Sequence, residues 1–468
     1  MDFRDYSLKE LANKIQTKEI SAKEMTQAAL DNIDRYDVKL NAFCAVNHED
    51  ALLQAEYIDS LIGKGEKVGK LAGIPIGVKD LEDAKGFVTT FGSELHVNDP
   101  VAKADSILVQ RMRDQGCVIL GKTNTPEFGH KGKTDNVPFG STKNPWNLEN
   151  SSGGSSGGTS SALASGMIPL GTGSDGGGSI RIPAALGGLA GIKTSQGRIP
   201  IGGDTPPGSG LLTVKGPMAN TTKDNALALD ATVGPHPTDI FSLEEDNTNW
   251  FDQLNEDLPK TAIWSSTMGF STVDKEVLDA CEGAINSLAN AGVEIIEKED
   301  IWEENPVDAW MVFWAAACAR RQQHLIGSKE YEKIDPLLRY FIEMGTSMDA
   351  ASYASSIDAC HKLGFKLQQT LEESPLIITP ATCGHAPKLE GDGFVNGNET
   401  PAWVDFTMGI NMTRNPAGVI PISVLNSGLP ASIQIIGGQR KDIDVLQAMY
   451  AFEKVINFSE RANGHEDT

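Results

Sequence analysis

The 468-residue chain carries 63 acidic against 40 basic residues, a formal net charge of −23, with 40% apolar residues and six cysteines. A polyanion without a basic patch is repelled by nucleic acid, and no run of about 18 uninterrupted apolar residues offers a helical membrane span. The charged, amphipathic start MDFRDYSLKELANKI lacks the apolar core of a signal peptide.

Cys44, Cys117, Cys281, Cys318, Cys360 and Cys383 are dispersed, with no C-x-x-C pair. The expectation is a large cytoplasmic protein with buried thiols and without a disulfide framework. No metal or organic cofactor and no nucleic-acid or membrane partner is implied. The oligomeric state is not readable, and a homodimer stays open.

In chain order, Ser7 to Tyr36 reads as helical, with Leu8, Leu11, Ile15, Met25, Ala28, Ala29 and Ile33 falling roughly at helical spacing and a break with a new N-cap near Ile20 and Ser21. Buried strands are expected over Leu71–Val78, Val118–Leu120, Ile168–Leu170, Leu376–Thr379, Val419–Val424 and Ala431–Ile436. Helical stretches alternate with them, notably Asp105–Gln115 and Ser160–Gly166, which predicts an α/β/α sandwich around a central mixed β-sheet. The final residues 459–468 read as a disordered polar tail.

The segment Ser151–Arg198 packs Gly/Ser clusters around a short apolar run and is the stretch most suited to chemistry. Four readings compete. As a flexible linker it would not need Met167, Ile168, Leu170, Ile180, Ile182 and Leu186. As a dinucleotide loop, Gly171, Gly173 and Gly176 match G-x-G-x-x-G, but that motif must open a helix and here Gly177, Gly178 and Pro183 follow at once. As the G-x-S-x-G elbow of an α/β-hydrolase, Gly154–Gly158 would make Ser156 the nucleophile. His236, His324, His361, His385 and His465 all follow it, none in a context that singles it out.

The fourth reading needs no histidine. The string GGSSGG, then 24 positions from Ser155 to Ser179 in DGGGSIRIPAA, then GGLAGIKTSQGRI, closely resembles the signature of the amidase signature family. LAGIPIGVKD, LGKTNTPEFG and GSTKNPWN upstream, and TRNPAGVIPISV and GLPASIQIIGG downstream, are similar to its other blocks in the same order, from Leu71 to Gly438. The resemblance implies the amidase signature fold over a single domain spanning residues 1–458, with an N-terminal helical segment over 1–65.

It also implies a triad. A serine hydroxyl is a poor nucleophile until a base takes its proton, and a lysine can be that base when burial lowers its pKa from about 10.4. Taken alone, Lys79 could end a strand as a solvated charge, and Ser155 and Ser156 could make local turn bonds. The resemblance makes Lys79 the base, Ser155 (after a cis peptide bond) the proton relay and Ser179 the nucleophile. The backbone N–H groups of Gly176, Gly177, Gly178 and Ser179 become the oxyanion hole, where one donor is worth about 100- to 1000-fold in rate.

Ser174 keeps a hydroxyl where the family usually has threonine. Gly176, replacing a bulkier residue, should widen or loosen the oxyanion loop. Asp175 and Arg181 flank the nucleophile and are expected to hold that loop by charge-assisted hydrogen bonds.

Between residues 226 and 374 the motifs fade while Trp250, Trp264, Trp302, Trp310, Phe313 and Trp314 concentrate, and substrate specificity is expected there. The run Val307–Cys318 fits an acyl or aryl pocket or an ordinary buried helix. The preferred substrate is a small apolar or aryl amide, with esters or carbamates as further candidates. The alternative, the A subunit of glutamyl-tRNA amidotransferase, would call for a tyrosine- and serine-rich block with an arginine after the signature, which this chain lacks.

Overall fold

A computed structural model of the chain describes residues 1–203, 212–244 and 248–465. Ser7 and Ser21 each accept a hydrogen bond from the third helical amide, while Glu10 and Glu24 reach back to the cap backbone. These two capping boxes divide the predicted N-terminal stretch into the helices Leu8–Gln16 and Ala22–Leu40.

Most of the strands form two mixed ladders, and two short two-stranded pairs stand apart from them. One ladder runs in the order Phe43–Val46, Val118–Thr123, Pro75–Lys79, Leu170–Asp175, Val214–Ala219, with its three central strands parallel. The other runs Glu294–Glu297, Thr261–Trp264, Leu376–Pro380, Pro430–Gly437, Ala417–Val424, Gly191–Lys193. Their edges meet where the Ala190 amide donates to the Asn220 carbonyl at 3.1 Å. Helices Gly157–Ala164 and Arg181–Gly187 are buried at every position. Their small residues let them lie within the molecule rather than on it, and a helix buried all round has no amphipathic signal to read.

Two strand expectations shift. The strand near Lys79 begins at Pro75, because Leu71–Ile74 form turns, and the one expected at Ile168–Leu170 runs from Leu170 to Asp175. Gly171 and Gly173 therefore lie in a strand, where a Cβ would come within 2.6 Å of Thr159 Cγ2 and 2.7 Å of Met218 Sδ. They are glycines of close approach, which removes the dinucleotide reading. The linker reading fails as well, since the segment 151–198 is almost wholly buried.

The C-terminal residues differ from the expected disordered tail as far as His465. Arg4 donates to the Ala462 carbonyl at 2.5 Å, Arg461 pairs with Asp5, and the buried His465 ring packs edge-on to Tyr36. Ala462 and the imidazole supply the burial that a tally of charges overlooks. Residues 466–468 of the tail lie outside the described residues. All six cysteines are unpaired, four of them buried, and no helix among the described residues is long and apolar enough to cross a membrane.

Candidate active site

Lys79 ends the fully buried strand Pro75–Lys79. Parallel pairing sets Gly77 opposite Gly171, so the lysine lies beside Thr172 and Ser174 of the neighbouring strand. Its amide donates to Thr172 Oγ1 at 2.8 Å, and its Nζ lies 2.8 Å from Ser155 Oγ, 2.8 Å from Ser156 Oγ and 2.9 Å from Ser174 Oγ. Three hydroxyls suit either protonation state: an ammonium donates to all three, and a neutral amine donates to two and accepts from the third. Burial pulls the lysine from about 10.5 down to about 7, against the opposing charges of Glu82 and Asp175.

Ser155 follows a cis peptide bond from Gly154. The loop is crowded, and a Cβ on Gly154 would meet Lys133 N at 2.7 Å while one on Gly157 would meet Thr134 Oγ1 at 2.3 Å. Ser156 is fully buried and its Oγ is held by Lys79. Among the described residues no histidine hydrogen-bonds it, so the α/β-hydrolase elbow is not what these residues build.

Ser179 sits in the turn between the strand Leu170–Asp175 and the helix Arg181–Gly187. Its carbonyl accepts from the Ser156 amide at 3.3 Å. The residue is half-buried and lines two cavities, of about 520 Å³ and about 600 Å³. Ser155, Ser174 and Gly176 line the second with it. Lys79, Ser155, Ser156 and Ser174 are thus drawn together by direct hydrogen bonds, and Ser179 stands outside the lysine's own shell, sharing a cavity wall with Ser155.

The loop before Ser179 is pinned from several sides rather than loosened by Gly176. The Trp310 indole donates to the Gly176 carbonyl at 2.8 Å and the Thr407 hydroxyl to the Gly177 carbonyl at 2.6 Å. Gly178 has a φ of +123°, and a Cβ there would lie 2.3 Å from Thr407 Oγ1; only glycine fits such a backbone at that distance.

Gly178 gives its N–H to Asp175 Oδ1 at 2.7 Å, because the carboxylate folds back over the turn that follows it. Of the four amides named from sequence, those of Gly176, Gly177 and Ser179 are left without an acceptor among the described residues.

Asp175 and Arg181 are both fully buried and form a two-bond ion pair, 3.0 Å from Nε to Oδ2 and 2.9 Å from Nη2 to Oδ1. Burial alone would raise the carboxyl, but the guanidinium and its hydrogen bonds outweigh that and hold it well below the usual carboxylate range. Arg181 also donates to Gln434 Oε1, Asn411 Oδ1 and the Thr407 carbonyl. Thr407, Asn411 and Gln434 lie more than 200 residues along the chain from this loop and carry no local signal that would have disclosed them.

The run Val307–Cys318 lies in the helix Val307–Gln322, partly in the core and partly on the wall of the first cavity. Trp310 and Phe313 pack in a hydrophobic cluster, while Trp310, Met311 and Trp314 line the first cavity.

The Amidase family model matches residues 24–446. The chain belongs to the Amidase family. It is 32% identical to an acylamidase of Rhodococcus erythropolis, over 96% of this chain and 95% of that one. It is 31% identical to the A subunit of the glutamyl-tRNA(Gln) amidotransferase of Agathobacter rectalis, over 97% and 94%. The crystal structure of a bacterial aryl acylamidase superposes with a TM-score of 0.90 at 27% identity, covering 96% of each chain. As a member of the Amidase family, with its α/β architecture, the chain is a hydrolase acting on linear amides.

Proposed function

We propose that the chain is a self-contained amidase that hydrolyses small amides with apolar or aryl groups through an acyl-enzyme on Ser179. The observation that carries this reading is the buried lysine amine bonded to Ser155, beside a half-buried serine that opens onto a cavity walled by aromatic residues.

In the forward step neutral Lys79 takes the Ser155 proton while Ser155 takes that of Ser179, and Ser179 Oγ bonds to the carbonyl carbon. The resulting oxyanion lies against the open amides of Gly176, Gly177 and Ser179. Collapse breaks the C–N bond, and the proton held on Lys79 returns through Ser155 to the departing amine. Water then enters by the same route, gives its proton to the relay and releases the carboxylic acid. Ser174 and Ser156 hold the amine in position, and Asp175 with Arg181 holds the turn. Esters and carbamates with the same acyl groups would pass through the same intermediates.

The acylamidase likeness and the aromatic walls of the first cavity support this substrate class.

The test is hydrolysis by the purified protein, without partners, of aliphatic amides, an anilide, an ester, a carbamate and glutamine, beside Ser179→Ala. Turnover of the apolar members that is lost in the variant supports the reading. Turnover of glutamine alone would replace it with the amidotransferase reading, and full activity in Ser179→Ala would overturn the assignment of the nucleophile.

A further inference from the structure

Asp405 opens the helix Asp405–Thr413, two residues before the Thr407 hydroxyl that holds the Gly177 carbonyl. The residue is 7% exposed and lines the same cavity as Ser179. An acidic residue at a helix start ordinarily caps the first amides. This helix has no side-chain cap, and no described residue donates to the Asp405 carboxylate. A buried carboxylate without a partner is costly, and what can satisfy this one must enter the cavity.

Asp308, exposed in the first turn of the helix Val307–Gln322, lines the same space. Burial, with the charge of Asp308, raises the Asp405 carboxyl to about 7. Trp310, Trp314, Tyr340, Phe341 and Trp403 line the cavity with them. Trp310 and Trp314 stack with their ring centres 5.1 Å apart.

The other charged groups on this cavity make no bond to Asp405, and none of the cations is among the charges that shift it. Lys131 is engaged by Asp335 and Asp135, Lys133 by the Gly391 carbonyl, and His130 faces Asp335, while Asp392 adds a further negative charge at the exposed edge. Carboxylates set among aromatic faces attract one class of ligand group, an ammonium.

We infer that, among such amides, the first cavity prefers those whose otherwise apolar acyl chain ends in a protonated amine, received by Asp405 with Asp308 nearby while the carbonyl lies at Ser179. This rests on the reading of Ser179 as nucleophile, and it makes Asp405 a specificity residue.

A binding experiment tests it independently of turnover. Calorimetric titration of the full chain with n-hexylammonium should show at least tenfold tighter binding than 1-hexanol. Asp405→Asn should erase that difference, Asp405→Glu should restore part of it, and Asp308→Asn should reduce it several-fold. Equal affinity for the two ligands, or an ammonium preference unchanged in Asp405→Asn and Asp308→Asn, would overturn the inference.

The kinetic counterpart compares 5-aminopentanoyl anilide with the isosteric hexanoyl anilide. A kcat/KM ratio of at least ten that falls toward one in Asp405→Asn is expected. Hydrolysis of neither anilide would overturn the proposed function, with the calorimetry still deciding the inference; hydrolysis of both at equal rates would overturn the inference alone.

Discussion

If Lys79 is the base, the pH dependence of the reaction follows from its burial. Desolvation lowers the amine from about 10.5 to about 7, which at order of magnitude is about 5 kcal/mol of preference for the neutral form. The active, neutral fraction is then about half at pH 7, about a tenth at pH 6 and about nine-tenths at pH 8, where an ordinary lysine at pH 7 would be neutral in about one molecule in 3,000. kcat/KM for an anilide should therefore rise with pH and level off above about pH 8.

The perturbation is Glu82→Gln. Glu82 is buried, pairs with Lys215 at 2.8 Å, and its negative charge favours the ammonium form of Lys79. Removing that charge should lower the lysine pKa further and move the rising limb acidward. Lys79→Ala should reduce kcat by about 100-fold or more, the usual yield of a general base. A profile that is flat or falling from about pH 6 to pH 8, or a limb that moves alkaline in Glu82→Gln, would refute the assignment of Lys79.

Three further outcomes are expected. A Cβ on Gly177 would sit 2.6 Å from Trp310 Cζ2, so Gly177→Ala must displace the indole that holds the Gly176 carbonyl; kcat on an anilide should drop about 100-fold, with part of the loss recovered in the double variant with Trp310→Phe. Asp175→Asn leaves the fully buried Arg181 without its counter-charge and should cost about 3–5 kcal/mol in denaturant unfolding; a change near zero would show that Gln434, Asn411 and the Thr407 carbonyl satisfy the guanidinium alone. Deleting residues 459–468 removes the buried Ala462 and His465 and should lower the melting temperature, whereas a free tail would leave it unchanged.

The legibility of this chain followed the range of its interactions. The N-terminal helices could be placed because Ser7 with Glu10 and Ser21 with Glu24 write their caps within three residues. The strands of the second ladder at Leu376, Ala417 and Pro430 could be placed because they are short apolar runs. The strand Leu170–Asp175 was displaced because LGTGSD carries almost no apolar signal; its glycines admit Thr159 and Met218, and such room is a tertiary property. Glu294–Glu297, half exposed and charged at both ends, gave no strand pattern either. At the site, Lys79, Ser155, Ser174 and Ser179 were named through a family pattern, whereas Thr407, Asn411, Gln434 and Asp405 reach the loop only through folding.

Burial alone does not make a lysine a base, and this fold contains its own comparison. Lys193 is as buried as Lys79 and is also pulled to about 7, by desolvation and then by the charge of Arg181. Its Nζ donates to the Thr194 carbonyl at 3.0 Å, a group with no proton to give. Lys79 instead faces three hydroxyls, one of which, Ser155, shares a cavity wall with Ser179. Desolvation makes both amines available at neutral pH; if Lys79 is the base, its hydroxyl neighbours are what set it apart from Lys193, whose amine meets a carbonyl. On that reading the chemistry of Lys79 comes from the register of two parallel strands and a crowded glycine loop, which place hydroxyls around an amine that the core has already deprived of water.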